Sequence, residues 1–193
     1  MKKLSGPKKI NTAIFISGNG SNLRNLIKFS FLKRSPIQVK FVISDSKIAK
    51  GLRYPKKYNI DFRCYNFFNK SLTEKKILVD LKKRKIRLIC LAGFMRLLSR
   101  NFIDNFKHKI LNIHPSLLPK YKGLNTHKRV IKFKEKFSGC TVHFVNAKLD
   151  SGKIILQKKV RISKNENYIT LEKKILKQEH ILYPKAIMKA LNL

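Results

Sequence analysis

The feature that most limits the possible folds of this chain is an alternation of short apolar runs with helical patterns over its first 114 residues. The first run, 12–17, has the pattern of a buried strand, and apolar residues then recur at helical spacing from Leu23 to Phe31. Strands that alternate with helices indicate a parallel, doubly wound sheet. The strands expected on this basis lie at residues 12–17, 38–43, 62–65, 87–91 and 111–114.

The chain after His114 has a different pattern. Residues 139–146 and 153–162 are expected to form two more strands, antiparallel, and a helix from about Tyr168 to Ala190 follows them. We therefore predict an α/β fold, with a doubly wound, mostly parallel, Rossmann-like sheet. Antiparallel strands and a long helix are expected at its C-terminal end.

The start of one further helix can be predicted from a short motif. Ser71-Leu-Thr-Glu74 has the form of a capping box, in which the first and last side chains satisfy free backbone N–H groups. Ile77, Leu78 and Leu81 follow at helical spacing, and we expect them on the inner face of that helix.

The charge of the chain is strongly basic, with 45 Lys and Arg against 10 Asp and Glu and a formal net charge of +35. Clustered basic residues bind nucleic acids through their phosphates. Here the lysines are spread through nearly every helix and loop, and the aromatic residues are mostly Phe within apolar patterns. We therefore expect no specific nucleic-acid partner, although a positive field attracts anionic ligands.

The apolar runs do not indicate a membrane protein. None approaches the roughly 18 residues that are needed to span a bilayer. The apolar run that follows the basic leader (residues 1–11) is too short for the core of a secretory signal peptide. We expect a cytoplasmic protein that binds no membrane, with a single domain over residues 12–193.

The three cysteines, Cys64, Cys90 and Cys140, are too scattered along the sequence for a disulfide framework or a metal site. We expect all three to be thiols of the core.

A glycine-containing turn, Gly18-Asn-Gly-Ser-Asn22, joins the first strand to the first helix. Glycines let the backbone approach a ligand closely, and the free N–H groups at a helix start can bind an anion. The turn lacks the spacing of a dinucleotide fingerprint and the lysine of a P-loop. It favours a single phosphate monoester over NAD or ATP, and a tight turn without a ligand is the alternative.

The segment Ile110–Pro119 places two polar side chains at the end of a strand. Leu111 and Ile113 alternate with Asn112 and His114, so the amide and the imidazole project from one face. The proline that follows ends the strand, and the carboxyl ends of strands are where open α/β sheets bind ligands. An amide beside an imidazole suits chemistry at an acyl carbon, although an isolated histidine is more often structural.

Five segments carry a more specific signal when they are considered together. They are Ile16-Ser-Gly-Asn-Gly-Ser-Asn-Leu23, Leu91-Ala-Gly-Phe-Met-Arg-Leu-Leu-Ser99, Ile110–Pro119 with Tyr121-Lys-Gly123, Val142-His-Phe-Val145 with Leu149-Asp-Ser-Gly152 and Ile155-Leu-Gln157, and Gln178-Glu-His-Ile-Leu-Tyr-Pro184. In this order they closely resemble the phosphoribosylglycinamide formyltransferases, also called GAR transformylases, of the folate-dependent formyltransferase family. The resemblance runs from about residue 12 to about residue 190.

The resemblance implies transfer of a formyl group from the co-substrate 10-formyltetrahydrofolate to the amine of 5-phosphoribosylglycinamide, in de novo purine biosynthesis. No metal is implied, and His114, Asn112 and Asp150 are the implied catalytic residues. Protonated His114 is expected to donate to the oxyanion or the leaving nitrogen, and Asn112 to orient the formyl oxygen. Asp150, unless it is only a turn residue, is expected to keep the imidazole charged, because an opposite charge raises the pKa of a histidine.

The resemblance also implies binding residues. Those for the phosphoribosyl substrate are Gly20, Ser21, Asn22, Leu23, Arg24 and Glu179, and those for the folate are Lys70, Met95, Arg96, Leu97, Leu98 and Asn112. On pattern alone Glu179 is a helix-surface carboxylate. Lys70 stands where relatives usually have an arginine, which removes bidentate pairing with the folate tail. Asn125 stands where relatives often have a histidine, and His127 and His143 remain open between supporting groups and core histidines.

Other functions share parts of this pattern. Methionyl-tRNA formyltransferase has a further RNA-binding domain, for which too few residues follow Asp150, and formyltetrahydrofolate deformylase has an additional N-terminal domain. A basic RNA-binding protein that kept only the fold would not need Asn112, His114 and Asp150 together. We expect small-molecule substrates as partners, and the sequence leaves monomer and homodimer both open.

Overall fold

The computed structural model of the protein describes residues 9–193. Within it the chain forms two compact units, one that ends at Arg96 and one that spans Leu97–Leu193. Residues 1–8 of the predicted leader lie outside the described residues, and the first strand already begins at Ile10. The prediction of a single domain over residues 12–193 stays a prediction.

The first unit contains four parallel strands whose order reverses between the first and the fourth. They are β1 (Ile10–Ile16), β2 (Ile37–Ser44), β3 (Asp61–Cys64) and β4 (Leu88–Leu91), and they lie in the order β3-β2-β1-β4. The second half of β1 lies in the core, because Ala13 through Ile16 are completely shielded from solvent. In open α/β sheets, ligands bind outside the carboxyl ends of the strands where the order reverses. In this unit that position is the end of β1.

The helices of the first unit connect these strands. They are α1 (Ser21–Phe31), a 3₁₀ helix (Lys50–Leu52), α2 (Arg53–Lys57) and α3 (Lys70–Lys83). The predicted capping box at Ser71–Glu74 is wrong, because α3 begins earlier and the Asn69 side chain accepts a hydrogen bond from the Leu72 N–H at 3.0 Å. Asparagine is itself a strong N-cap residue, so Ser71 already lies in the first helical turn. Ile77 and Leu81 are buried on the inner face of α3, as predicted, whereas Leu78 is only half-buried.

The second unit combines three antiparallel strands with three helices. Its elements are α4 (Arg100–Phe106), β5 (Lys109–His114), α5 (Thr126–Lys132), β6 (Phe137–Phe144), β7 (Ile154–Arg161) and α6 (Tyr168–Ala190). The predicted bounds of α6 are confirmed, whereas α5 was not predicted. α6 packs against β6 and β7, and the buried Tyr183 hydroxyl donates a hydrogen bond to the Leu111 carbonyl at 3.1 Å.

The predicted fold class is confirmed by this arrangement of parallel strands, C-terminal antiparallel strands and a long final helix. Over residues 9–193, none of the helices is long and apolar enough to cross a membrane.

Cys140, one of the predicted core thiols, is completely buried. Burial raises the pKa of its thiol to about 12, so this cysteine stays protonated at neutral pH.

Gly139 on β6 is a position at which the fold accepts no side chain. A Cβ there would lie 2.1 Å from the Lys158 carbonyl oxygen and 2.7 Å from a methyl group of Leu117. We expect Gly139→Ala to lower the free energy of unfolding by about 1–3 kcal/mol or more, since this is the usual cost of overpacking a core. Chemical denaturation measures this change. Gly18→Ala is the matched control, since nothing lies within 4 Å of its Cβ, and equal stability of the two variants would contradict the prediction.

Candidate active site

The carboxyl end of β5 places Asn112 and His114 beside residues from β6. In the antiparallel pairing, Asn112 lies opposite His143 and His114 lies opposite Thr141. Directly opposed residues on adjacent strands project their side chains to the same face. The strand ends after His114, as predicted from the proline that follows it. Strand register therefore brings His143 to the predicted pair.

His114 is 5% exposed, and its two ring nitrogens face two hydrogen-bond acceptors. Nε2 lies 2.8 Å from the carbonyl oxygen of Tyr121, and Nδ1 lies 3.3 Å from Oδ2 of Asp150. A carbonyl oxygen can only accept, so Nε2 carries a hydrogen and donates it to Tyr121. A second ring proton would be held against the Asp150 carboxylate.

Asp150 reaches this position from the turn that follows β6. Its Oδ2 accepts a hydrogen bond from the Gly123 N–H at 2.8 Å, and its Oδ1 accepts one from Nδ2 of Asn112 at 3.4 Å. The backbone of Asp150 is left-handed, with φ of 44°. Two residues later, a Cβ at Gly152 would lie 1.7 Å from the Phe144 carbonyl oxygen, so this turn needs glycine there.

His143 completes the cluster and orients the Asn112 amide. Its Nδ1 donates a hydrogen bond to the Phe144 carbonyl at 2.8 Å, which leaves Nε2 to accept one from Nδ2 of Asn112 at 3.2 Å. The two N–H groups of the Asn112 amide are therefore directed at His143 and Asp150. His143 is thus a buried histidine with both ring nitrogens paired, and one of its partners is Asn112 of the predicted pair.

The charge state of the pair differs from the sequence-based expectation. Burial is the largest influence on His114 and lowers its pKa, and His143 and Arg129 act in the same direction. The Tyr121 carbonyl and Asp150 raise the pKa but do not compensate, so His114 titrates below its ordinary range. Asp150 acts in the expected direction, since it raises the pKa of His114, but burial lowers that pKa by more. For Asp150, burial alone would raise the pKa, but contacts with His143, Gly123 and His114 lower it.

The predicted phosphate loop, residues 18–22, follows the end of β1 and leads into the start of α1 in the first unit. Gly20 is the N-cap, with left-handed φ of 70°, and a Cβ there would lie 2.7 Å from the Cα of Gly51. Ser21, Asn22 and Leu23 form the first turn of the helix, where backbone N–H groups have no intrahelical acceptor. Arg24 lies one residue further, with its guanidinium 6.0 Å from the centre of the Tyr54 ring. The loop thus combines close backbone packing with helix-start amides and a cation, which suits an anion.

The residues assigned to the folate differ in exposure. Met95 and Leu97 are 63% and 57% exposed, whereas Leu98 is buried. The Arg96 guanidinium forms an ion pair with Asp45 at 2.8 Å, and the Met95 N–H donates to the Ser17 hydroxyl at 2.8 Å. A segment that exposes two neighbouring apolar side chains can cover the face of a flat ring system.

Four further residues that the sequence analysis singled out have a clear structural position. Lys70 is the exposed first residue of α3. Glu179 on α6 is 6% exposed, so its interpretation as a helix-surface carboxylate is wrong: it lies on the face of the helix that packs inward. Asn125 is the left-handed N-cap residue of α5, with φ of 56°, a conformation that asparagine tolerates well. His127 follows on α5, and burial lowers its pKa.

Sequence reasoning missed the backbone groups that hold the cluster. The Tyr121 carbonyl and the Gly123 N–H contact His114 and Asp150, and neither contact depends on side-chain identity. Arg129 on the unpredicted helix α5 was also missed, although its charge acts on His114. The glycine at position 123, with left-handed φ of 77°, was the one local signal of an unusual turn.

Comparison with known proteins gives consistent matches along nearly the whole chain. Residues 10–187 match the family described as formyl transferase. The phosphoribosylglycinamide formyltransferase of Haemophilus influenzae is 41% identical over 183 residues, which cover 93% of this chain and 85% of that protein. The crystal structure of the phosphoribosylglycinamide formyltransferase from Brucella melitensis is 40% identical, with a TM-score of 0.89 and coverage of 95% and 96% of the two chains.

A further group of relatives is much longer. The human trifunctional purine biosynthetic protein adenosine-3 is 38% identical over 183 residues, which cover 93% of this chain. The chain spans only 18% of the length of that protein, and a similar share of its bovine counterpart.

The influence of Asp150 on His114 can be measured directly. Asp150→Asn removes the negative charge 3.3 Å from Nδ1, so we expect the pKa of His114 to fall further below its ordinary value. NMR titration of the histidine ring signals measures the shift. Asp104→Asn, which removes an exposed carboxylate on α4, is the control. A pKa of His114 that rises or does not change in Asp150→Asn would contradict the geometry.

Proposed function

The chain belongs to the formyl transferase family, and from this premise we propose that it is a phosphoribosylglycinamide formyltransferase. It transfers the formyl group of 10-formyltetrahydrofolate to the amine of 5-phosphoribosylglycinamide, a step of purine biosynthesis. The observation that carries the proposal is the cluster of Asn112, His114 and Asp150 at the end of β5, in a chain 41% identical to an enzyme of that name.

The transfer forms one bond and breaks one. The substrate amine attacks the formyl carbon, negative charge develops on the formyl oxygen, and the bond from carbon to the folate N10 then breaks. Hydrogen-bond donors aimed at such an oxygen are usually the largest contribution to catalysis. Asn112 is assigned this role, and His114 joins it once its ring has taken up a proton, because the one N–H of the neutral ring is directed at the Tyr121 carbonyl. Because both N–H groups of Asn112 are directed at His143 and Asp150 in the free protein, its amide must turn towards the substrate.

One proton must move from the attacking nitrogen to the leaving N10. His114 is suited to carry it, since its lowered pKa leaves the ring neutral and able to accept at neutral pH. Once protonated, the ring has the Tyr121 carbonyl and the Asp150 carboxylate as partners for its two hydrogens. His114 then donates to N10 and returns to the neutral form. Asp150 stabilises the imidazolium without itself becoming protonated.

The phosphate of the substrate is assigned to the loop at the start of α1. Backbone amides of Gly20, Ser21 and Asn22 would hold it, with Leu23 and Arg24 completing the site. The absence of acidic residues from the first turn of α1 supports the assignment, because a carboxylate there would repel the phosphate. Glu179 is assigned to the sugar end of the substrate, and its burial supports a specific role over a solvated one.

The formyl donor is assigned to the segment around Met95. The exposed side chains of Met95 and Leu97 support contact with the pterin ring, and backbone groups of Arg96 and Leu98 would contact its polar edge. Asn112 contacts the formyl group. Lys70 is assigned to the folate tail, where a lysine supplies charge but not the paired geometry of a guanidinium.

The remaining proposals concern partners and location. We propose small-molecule substrates, a cytoplasmic location and no specific nucleic-acid partner. The rival function, an RNA-binding protein with this fold, would keep the charge but has no use for the contacts that join Asn112, His114, His143 and Asp150. Loss of RNA affinity with rising salt, without sequence preference, would mark RNA binding as incidental.

Replacement of His114 tests the central residue. We expect His114→Ala to lower turnover in formyl transfer by at least about 10²-fold, the low end for a general acid–base group. The assay uses 10-formyltetrahydrofolate and phosphoribosylglycinamide with the purified variants. His108→Ala, which removes an exposed histidine near Phe106, is the control. Near-normal turnover in His114→Ala would refute the mechanism. Folate hydrolysis without the amine acceptor would instead indicate a deformylase.

The pH dependence of the reaction distinguishes the two possible resting states of His114. If the neutral ring accepts the proton, kcat/KM rises as pH increases through the pKa of His114 and levels off above it. Because burial lowers this pKa, the midpoint should lie below the ordinary histidine value of about 6.5. An activity that falls as pH rises through that range would show that the imidazolium is the resting form, against the proposal.

A further inference from the structure

The backbone of residues 121–124, here called the 121–124 turn, holds both members of the His114–Asp150 pair. The Tyr121 carbonyl accepts from Nε2 of His114, and the Gly123 N–H donates to Oδ2 of Asp150, each at 2.8 Å. Tyr121 and Gly123 both have left-handed backbones, with φ of 56° and 77°. A non-glycine residue in this region is uncommon and needs support from its surroundings. The placement of the pair therefore depends on what keeps this turn in shape.

Arg129 on α5 is the side chain that contacts most of the turn. Its Nη1 donates a hydrogen bond to the Lys122 carbonyl at 2.7 Å and a longer one to the Leu124 carbonyl at 3.5 Å. The guanidinium also lies 5.3 Å from the centre of the Tyr121 ring, within the range of a cation–π contact. One side chain thus contacts three of the four residues of the turn.

The far end of the Tyr121 side chain is held separately. Its hydroxyl donates to Oε1 of Glu135 at 2.9 Å, and Lys120 contacts the same oxygen at 3.0 Å. These contacts are partly exposed and lie beyond the ring, so they fix the phenol. The carbonyl groups on either side of Gly123 depend on Arg129.

We propose that Arg129 is a positioning residue for formyl transfer, which fixes the His114 ring and the Asp150 carboxylate through the 121–124 turn. The effect of Arg129 on catalysis rests on the proposed function. The contacts from which it is inferred all lie within the second unit. Arg129 is assigned no contact with either substrate. It acts on the reaction through the Tyr121 carbonyl and the Gly123 N–H.

The same side chain has a second, electrostatic effect. The titratable and charged groups that act on His114 are Asp150 after β6, His143 on β6, and Arg129 and His127 on α5. Arg129 is the only permanent cation among them, and it lowers the pKa of His114. Loss of the guanidinium should therefore raise that pKa while it loosens the turn. The two effects can be separated by the choice of substitution.

Three substitutions of Arg129 make this separation. Arg129→Lys keeps the charge but replaces the planar fork with a single flexible donor, so it tests placement. Arg129→Gln keeps a donor for the Lys122 carbonyl but removes the charge. Arg129→Ala removes both. Lys132→Ala is the matched control, because it removes one positive charge from the exposed face of the same helix.

The experiment measures kcat, KM for both substrates, and the pKa of His114 by NMR in the full-length variants. We expect Arg129→Ala to lower kcat by about 10-fold or more with KM changed less than about 3-fold, since misplaced catalytic groups reduce the rate more than binding. The pKa of His114 should rise in Arg129→Ala and Arg129→Gln and stay near the wild-type value in Arg129→Lys. Arg129→Lys should nevertheless lose part of kcat.

The proposal is overturned if all three variants match Lys132→Ala in kcat and in the pKa of His114. It is also overturned if Arg129→Ala changes KM alone, which would place Arg129 in a binding site. Thermal unfolding shows whether Arg129→Ala is folded, and the two conservative variants carry the test if it is not. Should the wild type fail to transfer formyl groups, the proposed function fails. The His114 titration in the same variants still decides whether Arg129 controls the ring.

Discussion

A carboxylate and an imidazole that are removed from water, as Asp150 and His114 are, need hydrogen-bond partners inside the protein. Their side chains are only 7% exposed, and each is contacted by the other and by one backbone group. Desolvation opposes charge on the imidazole, whereas the two acceptors around it favour charge. The balance leaves a neutral ring with a place prepared for a second proton. This is the condition that a group needs if it is to accept a proton and later release it.

The backbone around this pair is arranged to supply those partners. The Tyr121 carbonyl and the Gly123 N–H come from a turn with left-handed residues, and Asp150 lies in another left-handed conformation. Gly152 permits the close approach of that second turn to the Phe144 carbonyl. Such conformations persist only where surrounding contacts enforce them. Arg129 supplies contacts of this kind for the first turn, and through them α5 would act on the chemistry proposed for His114.

The first unit prepares a different kind of site by different means. Its strand order reverses beside β1, and the carboxyl end of this strand, whose last four residues are fully buried, is followed by a loop and a helix start. Gly20 and Gly51 pack so closely that neither position accepts a side chain without displacement of the other. This packing fixes the loop before any ligand binds. The phosphate assigned to this loop would then meet N–H groups that are already oriented, and little ordering would be required on binding.

The sequence by itself determined the alternation of strands and helices, the bounds of α6, the end of β5 at His114 and the glycine loop after β1. These features depend on side-chain periodicity and on proline and glycine, which act over a few neighbouring residues. Motif resemblance also selected Asn112, His114 and Asp150, which the structure brings together. Only the tertiary structure decided that His143 faces Asn112, that Asn69 caps α3 and that Glu179 is buried. It also decided that His114 titrates low, because burial and strand register depend on residues far away in the chain, which no local pattern records.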